Sequence, residues 1–145
     1  MLSLKGLPTT MTYRYSGRLH TRLHTRRVDL NERLYPKHQA ALKRAYIAYV
    51  TPLIIAQRPK RLERCAMIYT LVVRDKRRRD RSNILTAVEK IVNDAMVKCG
   101  VLPDDDDSVV VKTLYRTEKV PGIGPSTVSV DVIDAENIYS YFSQL

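Results

Sequence analysis

The residues of this chain best suited to chemistry are an aspartate set among arginines and, one helix-length later, a run of four aspartates. The first lies in Asp75-Lys76-Arg77-Arg78-Arg79-Asp80-Arg81-Ser82-Asn83, and the second is Asp104-Asp105-Asp106-Asp107. Asp80 falls at a strand-to-helix junction, where free helix N–H groups and flanking arginines favour an anion. A phosphate would dock on Lys76, Arg77, Arg78, Arg79 and Arg81. A hard cation held between Asp80 and an aspartate of the later run would have the oxygen ligands Mg²⁺ takes, commonly one or two carboxylates plus phosphate oxygens. Such an ion activates water and stabilises in-line displacement at phosphorus. The pattern points to a metal-dependent phosphodiesterase. Each part also has a plainer reading: Asp is a favoured helix cap, and acidic or basic runs are commonly solvated loops.

The elements that must position these groups follow from hydrophobic patterning. Leu2 to Leu7 predicts a short strand ended by Pro8. Residues 9–34 read as a long basic loop or arm, with Arg18-Leu19-His20-Thr21 repeated at once as Arg22-Leu23-His24-Thr25. Pro36 opens a helix whose apolar positions Ala41, Leu42, Ala45, Tyr46 and Tyr49 carry it to about Val50, where Thr51-Pro52 breaks it. The β-rich run from about Leu62 to Arg74 predicts a strand. Ser82 to Cys99 predicts an amphipathic helix with the stripe Ile84, Val88, Ile91 and Ala95, closed by Gly100 in the left-handed conformation. Val109–Thr117 and the alternating Val128, Val130 and Val132 predict two strands paired as a hairpin across the turn at 121–125. Asp134 caps a short last helix with Ile138, Tyr141, Phe142 and Leu145 on one face. The sum is an α/β (α+β) single domain over 1–145, a small mixed sheet packed by two main helices.

The chain has 145 residues, 25 Lys plus Arg against 15 Asp plus Glu, and a net charge of +10. A domain this basic meets a polyanion, with nucleic acid the first expectation. No apolar run reaches the roughly 20 residues of a bilayer span, and no signal-peptide core stands at the N-terminus, so a cytoplasmic protein is expected. Cys65 and Cys99 read as free thiols. In the basic arm, Arg18, Arg22, Arg26 and Arg27 are expected phosphate contacts. His20 and His24 would suit Zn²⁺ only on a helix and with further ligands, which the sequence lacks. Tyr13, Tyr15 and Tyr35 are candidates either for stacking on unpaired bases or for ordinary packing.

The stretch from Asp75 to Asn83, an apolar helix, and then Lys98-Cys99-Gly100-Val101-Leu102-Pro103-Asp104-Asp105 resembles the signature of the RusA family of Holliday junction resolvases. That pattern is an arginine run, Asp-x-Asp-Asn, a helix, and Gly-x-x-x-Asp-Asp before a strand. The likeness covers about residues 62–118 well, Gly6-Leu7-Pro8 with Tyr13 and Arg14 loosely, and the last 25 or so residues poorly. The resemblance implies a RusA-like fold and a homodimer that binds four-way DNA junctions in recombination and repair and nicks them symmetrically with Mg²⁺, Mn²⁺ being an alternative. A phage origin would fit it. By position it makes Asp80 and Asp105 catalytic, adds Asp104 to the metal ligands, and gives supporting roles to Ser82, Asn83 and Lys90. The chain departs from the family twice. Ser82 stands for the second motif aspartate, and Thr86 for a lysine, with Lys90 one turn further on. Loss of a ligand charge weakens Mg²⁺ binding.

A helix from Ser82 to Cys99 is about 27 Å long at ~1.5 Å per residue, so Asp80 and Asp105 start from opposite ends. Either residues 100–105 fold back, by up to ~20 Å if extended, or a two-fold dimer with antiparallel helices joins Asp80 of one copy to Asp105 of the other. The competing function is a non-catalytic branched-DNA-binding protein of the same fold with a degenerate site, favoured by Ser82 and Thr86. An RNA-binding or ribosome-associated role ranks last, because no aromatic RNA-recognition strand or Gly-x-x-Gly loop is evident.

Overall fold

The structure, a computed structural model, describes residues 1–75 and 79–143. Its elements are β1 (Leu2–Pro8), β2 (Thr10–Ser16), β3 (Thr21–Arg27), α1 (Pro36–Ala56), β4 (Cys65–Val73), α2 (Arg81–Lys98), β5 (Val110–Lys119), β6 (Thr127–Asp134), a 3₁₀ turn at Ala135–Asn137 and α3 (Ile138–Phe142). Four strands form one mixed sheet in the order β1-β6-β4-β5, and β2 and β3 form a separate two-stranded ribbon. The α+β architecture with two main helices agrees with the sequence reading. No helix among the described residues is long and apolar enough to cross a membrane.

The strand β4, Cys65-Ala66-Met67-Ile68-Tyr69-Thr70-Leu71-Val72-Val73, is buried along nearly all its length. A strand covered on both faces belongs inside a sheet, and β4 lies between β5, to which it is parallel, and β6, to which it is antiparallel. A parallel neighbour requires a crossover, and α2 is that crossover. One sheet face presents Met67, Tyr69 and Leu71 of β4 and Val128, Val130 and Val132 of β6, all buried, to the helices. Tyr46 of α1 donates to the Pro8 carbonyl at 2.7 Å. Tyr69 donates to Asn93 of α2 at 2.6 Å. The two helices are also joined by an ion pair between Lys43 and Asp94. On the opposite sheet face, Arg116 donates to Thr70 at 3.0 Å and Tyr141 of α3 to Asp131 at 3.3 Å.

Five expectations are corrected. Most of the basic arm is ordered β-structure, because Tyr13, Tyr15 and His24 alternate with Thr10, Thr12, Thr21 and Thr25, residues that favour a pleated strand. The helix α1 runs through Pro52 to Ala56. The proline removes one backbone donor, but the Thr51 hydroxyl donates to the Ile47 carbonyl at 2.7 Å, and fully buried Ile54 pins the last turn. β5 and β6 do not pair; β4 lies between them, and residues 120–126 pass around Arg74, which donates to the Pro121 carbonyl at 3.2 Å. Tyr49, expected in the core, is 46% exposed because α1 is apolar on its outer side as well. The strand from Leu62 is also shorter at its start, since Leu62 bonds the Val101 carbonyl instead. On α3, the Phe142 side chain and Leu145 lie outside the described residues.

Candidate active site and nucleic-acid interface

Asp80 is the N-cap of α2, with extended backbone and a carboxylate that accepts from the Asn83 N–H at 3.2 Å and from the Asn83 side-chain amide at 2.8 Å. The helix therefore starts one residue earlier than its apolar stripe implies, on a cap that satisfies one of its orphan donors. This junction lies at the carboxyl ends of the parallel strands β4 and β5, the edge where open α/β sheets bind ligands. Arg79, Asp80, Arg81, Ser82 and Thr117 line a shallow open cleft there. Arg81 donates to Thr117 at 3.3 Å. Arg79 pairs with Asp75 at 2.7 Å, which lifts its already high pKa further. Lys76, Arg77 and Arg78 lie outside the described residues.

The two supporting positions differ in placement. Ser82 is exposed in the cleft, whereas Lys90 is exposed about 12 Å further along the helix at ~1.5 Å per residue. Thr86 is engaged elsewhere, 3.1 Å from the Tyr115 hydroxyl, which in turn donates to Glu89 at 2.8 Å. Burial of Tyr115 pushes its phenol up to about 12. Thr117 and Tyr115 were not singled out by the sequence. The signal available was the period-two alternation of β5, which puts both on the helix side of the sheet.

The other carboxylates sit at the far end of α2. Gly100, with φ of 76°, closes the helix, and the N–H groups of Gly100 and Val101 return to the carbonyls of Val97 and Met96. The chain then enters the acidic run without folding back toward Asp80. Asp104 accepts from the Asp105 N–H at 2.7 Å, and Asp106 accepts from the Ser108 N–H at 2.9 Å. Burial, with the neighbouring Asp104 and Asp94, holds the Asp105 carboxyl above its ordinary range. Hydrogen bonds from Ser108 hold Asp106 below it. A single chain thus puts Asp105 beside Asp104 and within electrostatic reach of Asp94, not of Asp80. Among the described residues no group of three or more His, Cys, Asp or Glu could hold a metal ion. The donor set of one chain does not fit a Mg²⁺ site made of Asp80, Asp104 and Asp105. The fold-back route is excluded.

The ribbon β2–β3 carries the basic repeat. Its register places Met11, Tyr13 and Tyr15 opposite Arg26, His24 and Arg22 on one face, and Thr10, Thr12, Arg14 and Ser16 opposite Arg27, Thr25, Leu23 and Thr21 on the other. The first face rests on α1. Tyr15 stacks on His38 at 3.9 Å between ring centres, and the Tyr13 hydroxyl lies 2.8 Å from His38 Nδ1. His24 and His38 rings are 5.0 Å apart. Partial burial, then His38, Arg26 and Arg22, lowers the His24 pKa. Tyr13 and Tyr15 are therefore packing residues, while Tyr35 is 82% exposed at the start of α1. His20 lies beyond the strand at the ribbon's turn, so the i, i+4 spacing with His24 is not helical.

Of the four arm arginines, Arg18 and Arg22 are exposed, Arg26 is half-buried, and Arg27 is held by Glu32 at 3.0 Å. Arg14, not among those four, stands exposed on the outer face. The return segment after the ribbon touches the start of α2, where the Leu30 N–H donates to the Asn83 carbonyl at 3.3 Å. The ribbon and the Asp80 cleft are thereby neighbours. The chain matches no protein-family model and no curated protein, so its likeness to the RusA family rests on the motif residues alone.

Proposed function

We propose that this protein is a structure-selective endonuclease that acts as a homodimer on four-way and other branched DNA. The observation that carries the reading is the placement of Asp80. It heads α2 at the carboxyl edge of the parallel pair β4–β5, between Arg79 and Arg81, with the segment that follows the basic ribbon bonded to Asn83. Cationic side chains around an exposed helix N-terminus favour a phosphodiester. A net charge of +10 supplies the sequence-independent part of the affinity. The carboxylate constellation is completed between two copies whose α2 helices run antiparallel, so that Asp80 of one faces Asp104 and Asp105 of the other. Mg²⁺ or Mn²⁺ is the cofactor this arrangement would take.

The test uses a labelled four-way junction with linear duplex as control, in Mg²⁺ and in EDTA. Paired symmetric nicks from the wild type with metal, absent in Asp80→Asn, support the reading. Mixing Asp80→Asn with Asp105→Asn protein should restore part of the cleavage, since some mixed dimers keep one intact site. No recovery above either parent rejects the shared site.

A second reading is a branched-DNA-binding protein without catalysis. It is favoured by Ser82, which brings no charge, and by the engagement of both Asp80 oxygens with Asn83. Tight junction binding with no nicks under any divalent metal would establish it.

A further inference from the structure

The turn of the basic ribbon presents a bare apolar side chain. Leu19 is 90% exposed at the tip, and Leu23 is 69% exposed on the outer face directly opposite Arg14. Single exposed leucines are common on protein surfaces. This one differs in its setting. The turn is held in shape, with the Gly17 N–H on the His20 carbonyl at 3.0 Å and the Ser16 and Thr21 hydroxyls 2.8 Å apart. Arg18 adjoins Leu19 in the turn, and behind it Arg14 stands on the outer face and Arg22 on the inner face, all exposed. The outer face behind it is a row of hydroxyls, with those of Thr12 and Thr25 2.7 Å apart.

An apolar tip with arginines beside it and on both faces behind it has a poor partner in another basic chain and a good one in DNA, whose phosphates meet the arginines. A two-stranded ribbon is narrow enough to enter a groove, and leucine is among the residues that wedge between base steps. Seven-residue strands place the tip roughly 20 Å from the base of the ribbon, at about 3.4 Å per residue. The segment that leaves that base bonds to α2 beside Asp80, through Leu30 and Asn83. A branch point offers base steps already weakened in stacking, so insertion there costs least.

We propose that Leu19 is an apolar wedge that enters an unstacked base step at the branch point of DNA, with Arg14, Arg18 and Arg22 holding the flanking phosphates. The inference rests on the branched-DNA reading but not on cleavage. It explains how the protein would select a branch over duplex: the selected feature is the ease of unstacking, not sequence.

The experiment reads binding and unstacking separately, in EDTA, where no chemistry is required. A four-way junction carries 2-aminopurine beside the branch point, and binding is followed independently by the anisotropy of a dye on one arm. Wild-type protein at saturation should raise the 2-aminopurine fluorescence about twofold or more, as unstacking by a wedge does. Leu19→Ser, exposed and free of packing, should still saturate the junction but lose most of that rise. Leu19→Phe should keep it. A wild-type complex that saturates with no rise, or a Leu19→Ser complex with an undiminished rise, overturns the wedge and leaves the branched-DNA reading standing. Equal binding of junction and linear duplex by the wild type overturns the branched-DNA reading, and the wedge with it. Junction binding abolished at all concentrations by Leu19→Ser, with an unchanged circular-dichroism spectrum, would assign Leu19 to a contact other than insertion and also overturns the wedge.

Discussion

The two ends of α2 carry the two sets of carboxylates, and they are opposite in physical character. At the N-terminal end Asp80 satisfies an orphan helix N–H and sits with the favourable pole of the helix dipole, among arginines. At the C-terminal end Asp94, Asp104 and Asp105 gather where the dipole disfavours negative charge. Lys43 pairs with Asp94. Stability alone explains Asp80, because a cap is what any helix needs. It does not explain the acidic end, where like charges are held together against their mutual repulsion. A cationic partner, whether a metal ion or the arginine-rich end of a second copy, would relieve that repulsion. The contrast teaches that the residue most suggestive in sequence is the one with the strongest structural reason to be there, so chemistry must be separated from capping by experiment.

Substitution at position 80 makes that separation and carries the largest expected effect. Asparagine caps a helix as well as aspartate does. Asp80→Asn should therefore leave the melting temperature nearly unchanged while reducing junction nicking by about 10²-fold or more, the scale of losing one charged active-site group. Asp80→Ala should lose the activity and also about 1 kcal/mol of stability, seen in urea titration. Activity retained in Asp80→Asn would reduce Asp80 to a cap.

Salt dependence sharpens the comparison next. Arg81→Ala should lower the slope of log affinity against log salt for junction DNA by about 1, one phosphate contact. Asp106→Asn, in the same acidic loop but outside the proposed shared site, should leave the slope unchanged. A changed slope from Asp106→Asn would place the acidic loop itself against DNA.

The smallest expected effect is on stability at the acidic end. A carboxyl whose folded pKa is raised binds its proton more readily in the folded than in the unfolded chain, so its charge opposes folding at neutral pH and the opposition fades as the pH falls. Asp105 is such a group, by burial and by Asp104. Asp105→Asn should stabilise the protein at pH 7 by about 0.3 kcal/mol, an exposed-charge magnitude, with no gain at pH 3. Asp106 has the opposite sign, since its Ser108 bonds favour the ionised form, and Asp106→Asn should destabilise at pH 7 and lose that effect in acid. Equal behaviour of the two would contradict the geometry of the acidic loop.

The elements around the site were largely legible in sequence because they depend on local signals. The stripe Ile84, Val88, Ile91 and Ala95 and the glycine at 100 define α2 without knowledge of its neighbours, and the structure has all four stripe residues buried and Gly100 at positive φ. The ribbon was not legible as β-structure. Its inner face is made of tyrosines and histidines that count as polar until His38 of α1 is seen stacked against Tyr15. Pro52 signalled a break that does not occur, because the side chain of Thr51 and the burial of Ile54 compensate it.

What the sequence determined by itself is the inventory: a basic chain, a capped amphipathic helix with Asp80 before it and aspartates after it, and a β-rich run apolar enough to be an inner strand. Each follows from spacing along the chain, which local geometry reads directly. What only the tertiary structure decided is proximity. β4 lies between β5 and β6, although the latter two adjoin in sequence and looked like a hairpin. The ribbon's return segment lies against Asn83, more than 50 positions away in the chain. The acidic run stays with Asp94, at the end of the helix away from Asp80. The physical reason is that a helix is rigid and fixes the separation of its ends, while the order of strands in a sheet is set by which of them must be covered on both faces.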